Sequence, residues 1–434
     1  MSMEKIHDLK WLFLDLNSYF ASVEQQENPA LRGKPVVVIP TDTPHTCAIA
    51  ASYEAKAYGI KTGTIIRDAR RMCPGLICVQ ARHNKYVDYH NRIIEEVVKH
   101  TPINKIWSID EFDSRLPPSK RNEKSARDIA MRIKHGIWNN IGPAISCSIG
   151  IGPNTLLGKI ATDMQKPDGL VILNPVDLPG RLLDLQLTDI PGIGINMQRR
   201  LNRAGITTMT HLWNISPKQA RKAWGSVQGE RFWYWLHGYD FPHQETSRSV
   251  IGHSRVLDPS LRTPEKARLM ARRLLTKAVQ RMRKQNLYAG TLGFSATVRG
   301  ATYDQNFKWY GDIRLTPAND PFTFLAQLET LWGDMRAYFE SHYNLRSPVF
   351  KKVSVSLTRL CQREQITGDL FDTPNPETRE KSEKQQALAK ALDHLQAKYQ
   401  KETVTLGVPP KTLAGHVGTK IAFSRVPDKE EFWE

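Results

Sequence analysis

Six positions near the start of the chain, WLFLDL (residues 11 to 16), are apolar except for Asp15. A run this continuous and this short predicts a buried strand. PVVVIP and CAIAAS repeat the pattern, and AISCSIGIG does so again further on. Between them the period changes. NKYVDYHNRIIEEVVKH places Tyr86, Ile93, Ile94, Val97 and Val98 on one side of a helix, and EKSARDIAMRIKHGIW is a second helical stretch. INKIWSIDEFDS returns to strand. These elements predict an α/β domain with some antiparallel pairing over about the first 175 residues.

From 175 to 240 the pattern is helical throughout and punctuated by Gly and Pro, as in LTDIPGIGINMQRRLNRAGI. FPHQETSRS is short and polar and reads as a linker, taken as 241 to 249. Residues 250 to 360 predict a separate α+β domain. Its strands are VIGHSRVL, TLGFSATVR, YDQNFKWY and KVSVSLTRL, and its helices PEKARLMARRLLTKAVQRMRKQ and FTFLAQLETLWGDMRAYFESH. Residues 361 to 434 form a tail that opens on a polar stretch, DTPNPETREKSEKQQ. ALAKALDHLQAKY follows, with Leu388, Leu392, Leu395 and Tyr399 on one stripe, and predicts a short helix packed on the domain before it.

Composition narrows the function. The 434 residues are 40% hydrophobic, enough for three or so domains, and carry a net charge of +17. So basic a chain calls for an anionic partner, nucleic acid first and an acidic membrane second. Residues 250 to 360 hold 18 Lys and Arg against 8 Asp and Glu, so the charge is concentrated where a polyanion would be gripped. The 5 cysteines form no CxxC pair and no zinc spacing, which suits reduced thiols in the cytoplasm. MSMEKIHDLK is not a signal peptide, and no apolar run approaches a membrane span, so the membrane reading loses ground.

WSIDEFDSRL (107 to 116) carries the candidate chemistry. Asp110 and Glu111 stand where a buried strand would continue with Val or Ile. Adjacent strand residues face opposite ways, so these two converge only if the strand bends or ends there. The polar residues that follow, Asp113, Ser114 and Arg115, suit an ending. Unpaired, the two carboxylates would repel each other, and a divalent cation removes that cost. Mg²⁺ favours a few carboxylates plus phosphate and water oxygens. Asp15, at the end of another strand, supplies a third acid. Two such strands side by side suit a two-metal site for in-line phosphoryl transfer.

FLDLNSYFASVEQ, GKPVVVI, YEAKAYGIKTG, WSIDE, CSIGIGPNTLLGKIATDMQKPDGL and DIPGIG occur in this order. Together they resemble the Y-family translesion DNA polymerases over residues 11 to about 360. The look is that of the bacterial DNA polymerase IV branch, with DLNSYF leaning toward the UmuC-type branch. The resemblance implies a right-hand fold: palm at 1–24 and 84–173, small fingers at 25–83, helical thumb at 174–240 and an α+β little finger at 250–360. It implies Asp15, Asp110 and Glu111 as catalytic metal ligands with the Leu16 carbonyl, holding two Mg²⁺ ions. Tyr53, Lys56 and Lys166 would bind the triphosphate of a dNTP. Phe20 would be the steric gate against ribose, and Tyr19, grouped with it near the nucleotide, reads as packing. PGIG resembles a helix-hairpin-helix, with Gly192 and Gly194 admitting a DNA phosphate to backbone N–H groups.

The expected activity is template-directed addition of dNTPs to a primer 3′-OH on damaged DNA. Fidelity would be low, and no segment is assigned to proofreading. Primer–template DNA is the implied partner and the cytoplasm, at the nucleoid, the implied place. The alternative is a polymerase-like DNA-binding adaptor without catalysis, which retention of the three acids disfavours. Three departures from the family pattern stand out. Lys56 replaces a common Arg, Ala50 stands where some members carry a hydroxyl residue, and SIDEFDSRL is unusually polar. QITGDLF (365 to 371) approximates a sliding-clamp peptide with one residue too many.

Overall fold

The computed structural model describes residues 4–5, 7–44, 46–241, 249–300, 305–366 and 376–399, with Leu406 and Val426. The chain forms two compact units, Met1–His243 with Gly418–Phe432, and Gln244–Val417 with Trp433–Glu434. The first unit nevertheless holds three separate hydrophobic clusters.

In the first unit, β1 (Glu4–Lys5) is followed by β2 (Trp11–Leu16), the expected buried strand. After it come α1 (Tyr19–Glu27), β3 (Val36–Ile39), β4 (Ala50–Ala51), α2 (Tyr53–Ala57), α3 (Ile66–Met72) and β5 (Ile77–Gln80). The strands β4, β3 and β5 form a small sheet in that order, closed by α2 and α3 over its own core. The chain continues through α4 (His83–Val98), β6 (Lys105–Ile106), β7 (Glu111–Arg115), α5 (Glu123–Asn140), β8 (Cys147–Gly152), α6 (Thr155–Met164) and β9 (Leu170–Ile172).

These strands make a five-stranded sheet in the order β6-β7-β2-β8-β9. Antiparallel pairing dominates it, since only β8 and β9 run parallel. The apolar run of β2 has a simple cause: the strand is central and covered on both faces. Leu12, Leu14 and Leu16 point into the core shared with α1, α4 and α5. Phe13 and Asp15 point the other way, where α6 crosses. Gly150, Gly152 and Gly158 let α6 lie against β8 and β2, because a Cβ at any of the three would touch the facing element. Asn154 caps α6, its side chain accepting from the Leu157 N–H.

The polar end of WSIDEFDSRL corrects the expected strand ending. The bend lies at 108 to 110 and includes Asp110, and β7 begins at Glu111 and runs on through Asp113 and Ser114, both buried. Asp113 is tolerated because Asn104 Nδ2 and Trp107 Nε1 donate to its carboxylate at 2.8 and 2.6 Å. Along α4, Tyr86, Ile93 and Val97 are buried as expected, but Val98 is exposed.

A helical segment completes the unit: α7 (Ile195–Arg203), α8 (Met209–Asn214), α9 (Pro217–Trp224) and α10 (Val227–Leu236), ending in β10 (Tyr239–Asp240), which pairs with β1. Its core includes Leu157 and Ile160 of α6. Residues 242 to 248, most of the expected linker, lie outside the described residues.

The second unit is α+β as expected. It comprises β11 (Val250–Val256), α11 (Pro264–Lys284), β12 (Leu287–Arg299), β13 (Asn306–Ala318), α12 (Pro321–Tyr343), β14 (Phe350–Gln362) and α13 (Pro376–Tyr399). Its four-stranded antiparallel sheet has the order β11-β14-β12-β13 and shares one core with α11 and α12. The tail helix α13 does meet this unit, but of the expected stripe only Leu392 and Leu395 are half-buried. Leu388 and Tyr399 are exposed, Ala389 is the buried position, and Asp393 pairs with Arg283 at 2.6 Å. Of the clamp-like QITGDLF, residues 367 to 371 lie outside the described residues.

Candidate active site

Strand register sets the acids. Asp15 on β2 is directly opposite Glu111 on β7 and Ser148 on β8. Directly opposed residues share a face, so the Asp15 and Glu111 carboxylates emerge side by side. Asp110 joins them from the bend, where its carbonyl accepts the Leu16 N–H at 2.9 Å and its carboxylate accepts from Ser108 Oγ. The expected convergence of Asp110 and Glu111 is therefore achieved, by a bend before the strand.

Two lysines that α6 and the following turn bring in offset part of the cluster's charge. Lys159 Nζ lies 2.6 Å from Asp15 Oδ2, 2.8 Å from Glu111 Oε1 and 3.3 Å from Asp163 Oδ1. Lys166 Nζ lies 2.8 Å from both Asp15 Oδ2 and Asp163 Oδ1. The electrostatics follow. Burial opposes charge on Asp15, but the Lys159 and Lys166 ammoniums outweigh it and hold the carboxyl below its usual range. For Asp110 burial wins over the Ser108 hydrogen bond and raises the carboxyl. Burial also raises Glu111, with Lys159 pulling the other way. Burial opposes the charge of Lys159 too, yet Asp15, Asp163 and Glu111 raise its ammonium well above the ordinary lysine value.

Of the other residues expected to bind the nucleotide, Tyr53 and Lys56 lie within electrostatic reach of Asp15. Ser52 caps α2 by accepting the Ala55 N–H, which fixes Tyr53 and Lys56 on its first turn. Lys56 Nζ lies 4.2 Å from the Tyr53 ring centroid, and both residues feel the charges of Lys166 and Asp15. Phe20 is buried on α1 and stacked on Tyr86, with ring centroids 4.4 Å apart. Tyr19 is buried next to Phe20 and donates its hydroxyl to the Tyr86 carbonyl at 2.6 Å. Gly192, at φ +91°, and Gly194, the N-cap residue of α7, are both exposed in one turn apart from these acids in sequence.

Lys159, Asp163, Asn17 and Lys134 were not among the expected site residues. Asn17 is buried and ties three segments together, donating to Ser148 Oγ at 3.0 Å and accepting from Ser146 Oγ at 3.1 Å and the Asp168 N–H at 2.8 Å. Lys134 of α5 holds the same turn from the other side, donating to the Cys147 and Asp168 carbonyls at 2.7 and 2.9 Å. A signal for Lys159 and Asp163 was present in KIATDMQK, whose charges recur at helical spacing. Nothing local marks Lys134.

In this conformation no three His, Cys, Asp or Glu side chains among the described residues are arranged to hold a metal ion. The Lys159 ammonium lies between two of the acids instead. The donor set still fits a hard divalent cation: carboxylate oxygens on adjacent strands, with two lysines already marking the place as one that favours positive charge.

Carboxylates and lysines so placed suit phosphoryl transfer, and similarity to known proteins gives the class: a DNA polymerase. Residues 14–163 match the impB/mucB/samB family, 188–240 the DNA polymerase-iota thumb domain, and 248–370 the impB/mucB/samB family C-terminal domain. DNA polymerase IV of Moorella thermoacetica is 33% identical over 404 residues, covering 90% of this chain and 94% of that one. DNA polymerase IV of Pelotomaculum thermopropionicum is 32% identical over 366 residues, covering 83% and 87%. In fold, a Y-family polymerase chimera of Dbh and Dpo4 superposes with a TM-score of 0.67 at 24% identity, covering 82% of this chain and 100% of that one. The chain belongs to the Y-family of DNA polymerases, with a thumb and a little-finger domain, and is a translesion DNA-directed DNA polymerase. Polymerases of this family use divalent metal ions.

Proposed function

We propose that Asp15, Asp110 and Glu111, with the Leu16 carbonyl, hold two Mg²⁺ ions for transfer of a dNTP onto a primer 3′-OH. The observation that carries this reading is the register pairing of Asp15 with Glu111, with Asp110 at the bend and Lys166 on Asp15. When bound, such ions activate the attacking oxygen and offset charge that develops on the phosphate. The protein's own residues do the rest. Tyr53, Lys56 and Lys166 bind the triphosphate as a hydroxyl and two point cations. Phe20 meets the sugar face and excludes ribose by clash. Gly192 and Gly194 admit the DNA backbone to the turn before α7, and the basic residues of 250–360 grip the duplex.

In domain terms we assign 1–24 and 84–173 to the palm, 25–83 to the fingers, 174–240 to the thumb and 250–360 to the little finger. Low fidelity belongs to the same reading, as does work at the nucleoid in the cytoplasm. No described helix is long and apolar enough to cross a membrane. The test is primer extension with Mg²⁺ by Glu111→Ala. Extension is expected to be abolished while DNA binding in a gel-shift assay stays near that of the unaltered protein. Full activity in the variant would overturn the assignment.

A further inference from the structure

Lys159 stands out among the charged residues of the site. It is the only described lysine recorded in an ion pair with both Asp15 and Glu111. Its side chain is only 17% exposed, so the ammonium is not a surface charge drifting near an acid. Lys166 also touches Asp15, but its second partner is Asp163. The two lysines therefore divide the work. One bridges the acids of neighbouring strands, and the other links β2 to α6.

We propose that the Lys159 ammonium and a divalent cation compete for the same oxygens of Asp15 and Glu111, so that Lys159 sets how tightly the acids take up metal. This rests on the reading of those acids as metal ligands. Asp15 is buried and Glu111 lies directly opposite it, so their like charges need a counter-charge between them. The ammonium supplies it at 2.6 and 2.8 Å. Asp15 Oδ2 and Glu111 Oε1 are each already taken by the ammonium, so a divalent cation that coordinates both of these oxygens has to displace it.

The displaced ammonium has somewhere to go. Asp163 is one helical turn further along α6 and already lies 3.3 Å from Lys159 Nζ. An i to i+4 partner on the same helix can keep the charge paired while Asp15 and Glu111 change partners. Asp163 is shared with Lys166, so uptake of metal also redistributes charge toward the lysine that reaches the triphosphate. Lys159 is thus a positioning residue, acting on the reaction through the acids.

The test is Mn²⁺ binding to the full chain without DNA or nucleotide, followed by electron paramagnetic resonance. Lys159→Met is expected to bind Mn²⁺ about tenfold more tightly, the equivalent of one partly buried ion pair, and Lys159→Arg to stay within about threefold of the unaltered protein. A merely structural lysine would give the opposite sign, since a loosened site binds metal less well. Equal or weaker binding by a folded Lys159→Met protein overturns the proposal. Should that variant not fold, the unaltered protein decides. With ¹⁵N-labelled lysine, the Lys159 ammonium resonance is expected to shift as Mg²⁺ is added, and a resonance unmoved at saturation overturns the competition. Asp15→Asn with Glu111→Gln separates the two readings. Mn²⁺ binding that survives this pair of changes removes the acid site and the proposal together. Binding lost in that pair but not tightened in Lys159→Met removes the proposal alone.

Discussion

Replacing Gly150 by Ala adds one methyl group at the tightest contact between β8 and α6. The new Cβ would lie within 2.6 Å of Thr162 Oγ1 and closer still to the Gly158 carbonyl oxygen and the Thr162 nitrogen. Two of these three atoms are helix backbone, so no side-chain rotation relieves the clash. Ordinary contact begins at about 3.4 Å, so α6 must retreat by roughly 1 Å. Overpacking of this kind costs about 1–3 kcal/mol, and the upper end applies because backbone rather than a flexible side chain must move. The same retreat carries Lys159 and Asp163 away from Asp15, and a misplacement of ~1 Å can cost on the order of 100-fold in rate. Urea denaturation and single-nucleotide kcat/KM measure the two effects. Gly333→Ala is the control: Gly333 lies in α12 with nothing within 4 Å of an added Cβ. That change should stabilise by about 0.5–1 kcal/mol through helix propensity. A Gly150→Ala protein as stable and as active as the unaltered one would refute the argument that glycine contacts place α6.

Two further outcomes follow from the same geometry. Phe20→Leu, which keeps an apolar group against Tyr86, is expected to raise the rNTP-to-dNTP ratio of kcat/KM by on the order of 100-fold, and an unmoved ratio would make Phe20 only a core aromatic. Burial lowers the His83 imidazole to about 4, so the folded chain stays neutral there while the unfolded chain, at about 6.5, takes up a proton. Stability should be full above pH 6.5 and fall by up to about 3 kcal/mol as the pH drops toward 4. His83→Phe should flatten that decline in urea titrations at pH 7 and 4.5, and an undiminished slope would assign it to other groups.

Much of this was legible because the strongest signals are local. WLFLDL reads as a buried strand, and the one acid inside it stands out against the apolar run. The pair Asp110 and Glu111 was legible as chemistry but not as geometry. Polar residues after the acids suggested that the strand stopped, whereas Asn104 and Trp107 pay for burying Asp113 and let it continue. Lys159 escaped notice because a lysine on a helix is usually solvated. Its burial depends on how closely α6 approaches the sheet, which the three glycines decide together. Lys134 lies 34 residues from Asp168, its partner at 2.6 Å, and no local pattern records such a pairing. On α13 the leucine spacing was right for a helix, but the face that packs is fixed by Ala389 and by the ion pair of Asp393 with Arg283.

The central place of β2 has a consequence for hydrogen exchange. Its amides are bonded on both sides, to β7 and to β8, so they open only when the sheet itself comes apart. Asp15 therefore sits in the slowest-exchanging layer of its unit. Tyr53 and Lys56 ride on a helix of 5 residues, and Lys166 on a turn held by side chains, segments that can open at much lower free energy. Exchange should accordingly divide the site in two, an Asp15 half protected until the sheet opens and a Tyr53, Lys56 and Lys166 half that opens many times before the other opens once.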